Sequence, residues 1–330
     1  MIRIEAHCGD VGEVTRAANE LLPARLVYAE GDSWFDQCAP MPMGCANLLD
    51  AIRTPFLTAV VDVSHVGEEV RDMVRGHQAR QTQALFKRFN FHAILLSAGG
   101  NDLKNVFADL FAARALACDG FASRFQPDDF EHLAHPERYE LHFAEVTRNI
   151  GRFVDLREAA GSEVTRRAPI FVHGYDYLQP RPAGAQVFTG SRIGCGPWLH
   201  PSLNAAGLSD AQMRSTADAV VDELNQQLQR EIAPLPQVHL IDQRGLLTPA
   251  SPGSTGSNGD WLDEIHPSRE GFNKLARNRW DVPLARALDW QPAAGERTPA
   301  LQPLNRSTAR SSDALAPRRA ADGEAARGAG

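Results

Sequence analysis

Cysteine is sparse in this chain, long apolar runs are missing, and positive charge is not in excess. The five cysteines (Cys8, Cys38, Cys45, Cys118, Cys195) are an odd number with no CxxC pair. They read as reduced thiols, not as a disulfide framework or a zinc site. No apolar stretch approaches the roughly 18–20 residues a membrane helix needs, so no membrane span is expected. Lys and Arg number 34 against 41 Asp and Glu, a formal net charge of -7, which gives no electrostatic footprint for nucleic acid or anionic lipid. Near the start, Glu5, Asp10 and Glu13 stand where a secretory leader would need an apolar core. No leader is read there, and a cytoplasmic location is the expectation.

What is present is α/β patterning. With 330 residues, 43% of them hydrophobic, the chain suffices for one large α/β domain. Short apolar runs predict strands at Arg25 to Ala29, Leu57 to Val63, Ala93 to Ser97, Pro169 to His173 and Val238 to Ile241. Unbroken runs such as "AILLS" suit strands buried on both faces. Helical patterns fill the intervals at Glu68 to Phe89, Phe143 to Ala160, Asp210 to Ile232 and Arg269 to Leu288. This alternation predicts a parallel sheet covered by helices on both faces. Residues 103–141 read as a helical cap-like insertion and Gln179 to Leu208, rich in Pro and Gly, as a long loop. From about Ala293 the composition turns Ala-, Arg-, Pro- and Ser-rich without periodicity, as in disorder. The expected division is an N-terminal extension over 1–20, one domain over 21–290 and a disordered tail over 291–330.

In an open parallel sheet, ligands bind beyond the carboxyl ends of the strands. The predicted strands are followed by Gly31-Asp32-Ser33, Ser64-His65-Val66-Gly67, Gly99-Gly100-Asn101-Asp102 and Gly174-Tyr175-Asp176-Tyr177, and "WLDEIHPSREGF" lies near the end of the domain. These residue types suffice for acyl transfer. A serine hydroxyl needs a neighbouring base, usually histidine, and the histidine needs a partner that fixes its tautomer. Asp263 precedes His266 by three residues, within reach of one turn. An oxyanion needs donors already aimed at it, and the backbone N–H of Gly67, the amide of Asn101 and the N–H of Ser33 offer them.

The chain resembles the SGNH (GDSL-type) hydrolases. "GDSWF" is similar to the first family block, "VGEEV" stands at the second block's glycine, "GGND" matches the third and "DEIHP" the last, in order over residues 26 to 275. The resemblance implies a three-layer α/β/α sandwich with a flavodoxin-like central parallel sheet and esterase or lipase chemistry on acyl esters. It implies no metal and no organic cofactor. It assigns catalysis to Ser33, Asp263 and His266, and the oxyanion hole to Ser33, Gly67 and Asn101.

Plainer readings stand beside these. Ser33 suits a helix N-cap, Asn101 suits a turn, and Asp102 suits a structural cap. Glu264 is a rival to Asp263 that the spacing disfavours. His200, in "LHPS", lacks an acid three residues earlier, and His173 and His65 suit structural or surface roles. Trp34, Tyr175 and Tyr177 are possible substrate contacts, with core packing the default for aromatics. The expected partner is a small acyl ester, a lipid or an acylated carbohydrate. Two alternatives use the same residues or the same fold: an acyltransferase, and an inactive ligand-binding module.

Overall fold

The computed structural model describes residues 1–6, 11–36, 46–104, 136–186 and 194–289. Most of the cap-like insertion, part of the Pro- and Gly-rich loop and the C-terminal tail lie outside them. Six strands build one sheet: β1 (Ile2–Glu5), β2 (Arg25–Gly31), β3 (Thr58–Asp62), β4 (Ala93–Ser97), β5 (Ile170–His173) and β6 (Val238–Ile241). The order is β1-β3-β2-β4-β5-β6 and every pairing is parallel. The principal helices are α1 (Val11–Leu21), α2 (Gly76–Arg88), α3 (Pro136–Glu158), α4 (Asp210–Gln227), α5 (Arg269–Leu275) and α6 (Asp281–Leu288). Among these described elements the architecture is α/β, a parallel sheet between helical layers.

The five strands read from apolar runs are all present, because β3, β4 and β5 are buried at every residue and leave no polar face to disguise them. The sequence reading differs at three places. Residues 2–5, expected in an extension outside the domain, form the edge strand β1 and pair with Ala59 to Asp62. Its pattern is only four residues long, with one buried position, too short to stand out. The helix expected from Glu68 breaks into a turn at Val70–Met73 and α2, at Gly76 with φ 57°. Within the long loop, Ala185–Gln186 and Gly194–Cys195 pair as a short antiparallel ladder and His200–Ala205 is helical. α4 runs as expected: Ala217, Val220, Val221 and Leu224 are all buried. Its start carries a capping box, in which Ser209 and Gln212 satisfy each other's backbone N–H.

Aromatic packing fills both faces of the sheet. Tyr28 of β2 meets Phe86 of α2 edge-on at 4.9 Å and Phe91 at 5.4 Å. On the α6 side, Trp280 meets Phe35 and His173. Leaving β1 aside, the chain runs from β2 outward to β3, then returns across β2 to β4 and onward. That reversal puts the topological switch point between the carboxyl ends of β2 and β4, where an open sheet leaves a crevice.

The glycine of "GDS" has a packing reason. A Cβ on Gly31 would lie 2.5 Å from the Ser97 Cβ and 2.8 Å from its carbonyl oxygen. The switch point therefore closes only if residue 31 lacks a side chain. Gly31→Ala is expected to destabilise the fold by about 1–3 kcal/mol through overpacking, read as a lower urea midpoint at unchanged m. A midpoint equal to the parent's would sink this account.

One residue earlier, Glu30 is fully buried, with its Oε2 accepting from the hydroxyls of Tyr28 and Thr82 (3.1 Å for Thr82). Burial, and then the nearby Glu68 carboxylate, push its pKa well above the usual value. The native state thus holds this proton more tightly than the unfolded chain. Stability from it is fully present below the ordinary carboxylate range and is lost as pH rises through the raised native value. Glu30→Gln keeps an acceptor for both hydroxyls and carries no charge. It is expected to flatten the fall in urea midpoint between mildly acidic and alkaline pH. A parallel pH profile in the variant would contradict the assignment.

Candidate active site

Ser33 begins a helical turn, Ser33–Asp36, directly after β2. Asp32 caps that turn: its Oδ1 accepts the Trp34 N–H at 3.0 Å. The same carboxylate accepts the Ser97 hydroxyl at 2.6 Å and the Tyr175 hydroxyl at 2.5 Å. Burial raises the Asp32 pKa, and the three donors oppose that rise. One side chain thus fixes the first residues after β2 to the end of β4 and to the residues after β5.

Asp263 and His266 arrive from the loop before α5. Asp263 is fully buried, and its Oδ1 accepts the backbone N–H of Ile265 at 2.9 Å and of His266 at 2.8 Å. This tight turn brings the imidazole back over its own loop. His266 Nδ1 lies 2.8 Å from Asp263 Oδ2. A carboxylate there holds the proton on Nδ1, leaving Nε2 to accept the Ser33 hydroxyl at 2.8 Å. Two further bonds lock the loop. The Trp34 indole N–H donates to the Ile265 carbonyl at 3.0 Å. The buried Arg181 guanidinium donates to the Asp263 carbonyl at 3.1 Å, and to Ser254 at 3.2 Å.

Asn101 lines the same small pocket as Ser33, with Leu103, Leu178, Val221 and Leu224 as aliphatic walls. It is 4% exposed, and its Nδ2 has no hydrogen-bond partner among the described residues. Gly100 beside it admits the Tyr175 ring, which a Cβ would meet at 2.5 Å. Gly67 lies in an exposed turn at φ 84° after β3 and is not in that pocket lining among the described residues. The turn is tied to the Asn101 block by Asp102, whose carboxylate accepts the Val70 N–H at 2.9 Å. Burial pushes Asp102 up to about 7.

The aromatic candidates separate. Trp34 is 2% exposed and Tyr175 3% exposed; both border the pocket, and both spend their polar atoms on the framework. Tyr177 turns away and donates to Asp222 at 3.0 Å, so it does not join the cleft. His173 is buried between Ser97 (2.8 Å) and the Gly174 carbonyl, with its pKa lowered by burial to about 4. His65 contacts Gln78 and Glu68. Among the described residues, no cluster of His, Cys, Asp or Glu is arranged to hold a metal ion, and no helix is long and apolar enough to cross a membrane.

Sequence reasoning passed over Arg181, which sits in "LQPRPAG" with no local signal of burial, and treated Glu264 only as a rival to Asp263. Glu264 faces the opposite way: its carboxylate collects backbone N–H groups of Arg181, Trp198, Leu199 and His200. Arg181 becomes visible only when its loop folds against Asp263.

No protein-family model matches the chain, and no curated protein matches it. Among solved structures it is similar to the lipase Lip_vut3 from a goat rumen metagenome, at 15% identity and a TM-score of 0.47, covering 80% of this chain and 97% of that one. It is also similar to the acetylxylan esterase Axe2 of Geobacillus stearothermophilus, at 15% identity and a TM-score of 0.38, covering 81% and 95%. A carbohydrate acetylesterase family member of Sinorhizobium meliloti aligns at 14% identity and a TM-score of 0.42, covering 80% and 99%.

Proposed function

We propose that the protein is a serine esterase of the SGNH type. The observation that carries this reading is the pairing of a complete Ser33–His266–Asp263 hydrogen-bond chain with a buried Asn101 Nδ2 in the same pocket that has no partner among the described residues. A buried donor without a partner costs on the order of 1–3 kcal/mol. A binding module or a structural turn gains nothing from that cost, whereas an oxyanion formed beside Ser33 would use the donor.

In this mechanism the Ser33 Oγ attacks the ester carbonyl carbon while Nε2 of His266 takes the hydroxyl proton. Asp263 keeps the imidazole in the Nδ1–H tautomer and stabilises the imidazolium. The carbonyl oxygen becomes an oxyanion held by the Asn101 amide and the backbone N–H of Ser33; Gly67, expected as a third donor, lies in an exposed turn outside the pocket lining and is given no part in the hole. Collapse breaks the bond to the alcohol oxygen, which receives the proton from Nε2. Water, losing a proton to His266, then attacks the acyl-Ser33 carbonyl; the bond to Ser33 Oγ breaks, Oγ takes that proton back from Nε2, and the carboxylic acid is released. The aliphatic walls from Leu103, Leu178, Val221 and Leu224 bound a cavity of about 20 Å³, which suits a short apolar acyl group.

A fluorophosphonate probe is expected to label Ser33, located by peptide mass, and to leave Ser33→Ala unlabelled. Asp263→Asn is expected to lower kcat by about 10⁴-fold, as loss of the correct tautomer does. A labelled Ser33→Ala protein, or wild type that resists the probe while folded, would end the reading.

Asn101 separates catalysis from structure more sharply. Asn101→Ala is expected to lower kcat by about 10²–10³-fold. It removes a buried donor that has no partner among the described residues, so the urea midpoint should hold or rise. A lowered midpoint with unchanged kcat would make Asn101 a turn residue instead.

A further inference from the structure

Glu264 follows Asp263 in sequence, is fully buried, and takes no part in the triad. Its carboxylate accepts the N–H of Trp198, of Leu199 at 2.9 Å, of His200 at 2.7 Å and of Arg181 at 3.2 Å. Burying a carboxylate is costly, and only such a full set of donors offsets it. Three of the four donors are consecutive residues of one loop, so the acid adjacent to Asp263 fixes the backbone of 198–200.

That backbone carries one aromatic into the site. The Trp198 ring lies edge-on to His266, with centroids 5.6 Å apart and planes at 82°. The Lys104 Nζ lies 5.9 Å from the centre of the same ring, and Lys104 borders the Ser33 pocket. Gly196 supports the indole from behind: at φ 79°, a Cβ there would meet ring carbons at 2.7 and 2.8 Å. A glycine in the left-handed region and a buried carboxylate with four donors therefore both serve the placement of one half-buried ring. Trp34 cannot take that role, because its ring is packed between His173, Tyr175 and Phe272.

We propose that Trp198 is the wall against which the leaving alcohol of the substrate stacks, and that Glu264 is the positioning residue that holds it there. The proposal rests on the esterase reading. His266 hands its proton to the departing oxygen, so the alcohol must lie against His266, and among the described residues Trp198 is the ring beside it. The acyl group lies on the other side, in the aliphatic pocket that Trp198 does not line. A flat indole favours an alcohol with a flat C–H or aromatic face, such as an aryl alcohol or a sugar, over a linear one.

The test compares esters that share one acyl group, chosen from a chain-length series, and differ in the alcohol: benzyl alcohol, a methyl glycoside and n-propanol. In Trp198→Ala the kcat/KM ratio of at least one ring ester to the propyl ester is expected to fall about tenfold, while Trp198→Phe keeps most of it. Glu264→Gln, which turns an NH2 toward the loop donors, is expected to lower the same ratio while fluorophosphonate labelling of Ser33 stays within about threefold of wild type. An equal loss on all three esters, or no change in the ratio, overturns the proposal. Should Glu264→Gln fail to fold, the Trp198 pair decides the wall by itself, and Glu264→Asp, which keeps the charge, decides the positioning by the same ratio. Wild type that resists the fluorophosphonate fails the esterase reading itself, and the two failures are thereby distinguished.

Discussion

The buried carboxylate of Asp32 is the constraint on which the site depends. A parallel sheet delivers strand ends to one edge but does not fix the loops that leave them. Asp32 does so by accepting from Trp34, Ser97 and Tyr175 at once. These donors belong to the exits of β2, β4 and β5, the strands that border the crevice. Hydrogen bonds to a charged acceptor are the strong ones, and a buried acceptor that lost a donor would be penalised heavily. The three exits are therefore coupled: moving any one of them leaves a charge unsatisfied. Ser33 follows Asp32 directly, so its hydroxyl inherits that rigidity.

The second half of the site comes from far along the chain, and its docking uses side chains from the first half. The Trp34 indole ties the residue beyond Ser33 to the residue before His266. Arg181 clamps the Asp263 carbonyl from a third segment. The Asp263 carboxylate holds two N–H groups of its own turn as well as the imidazole. Geometry at the 2.8 Å level between Ser33 and His266 thus rests on a framework of buried polar contacts. Such networks are costly when half satisfied, and specific when complete.

The parts of this arrangement that were legible in the sequence share one property: their signal is local. Apolar runs such as "AILLS" announce buried strands, and "GDS", "GGND" and "DxxHP" each carry their chemistry within a few residues. The reason for a residue type was less legible than its presence. Gly31 reads only as the residue that follows a predicted strand, yet it is small because Ser97 lies against it. Tyr177 sits at a strand exit like Tyr175, but its hydroxyl meets Asp222 on α4, a contact set by helix placement. β1 was invisible because four residues with one buried position carry almost no periodicity. Arg181 and Trp198 lie in a Pro- and Gly-rich stretch, where no pattern tells burial from exposure.

Asp263 and Glu264 show why residue type alone does not assign a role. They are adjacent acids, both fully buried. Neighbouring side chains point apart, so one reaches the imidazole and the other reaches the loop that follows Gly196. The Asp263 carboxylate faces a base that can carry a charge, and it stays useful through a proton transfer. The hydrogen bonds of the Glu264 carboxylate among the described residues come from backbone amides, which cannot take or release its proton, and burial pushes its pKa up to about 7. An acid hydrogen-bonded to backbone amides positions what it holds; an acid shared with an imidazole can take part in moving a proton. The difference lies in the partner, and the partner is chosen by a fold that brings residue 33 within one hydrogen bond, and residue 198 within one ring contact, of residue 266.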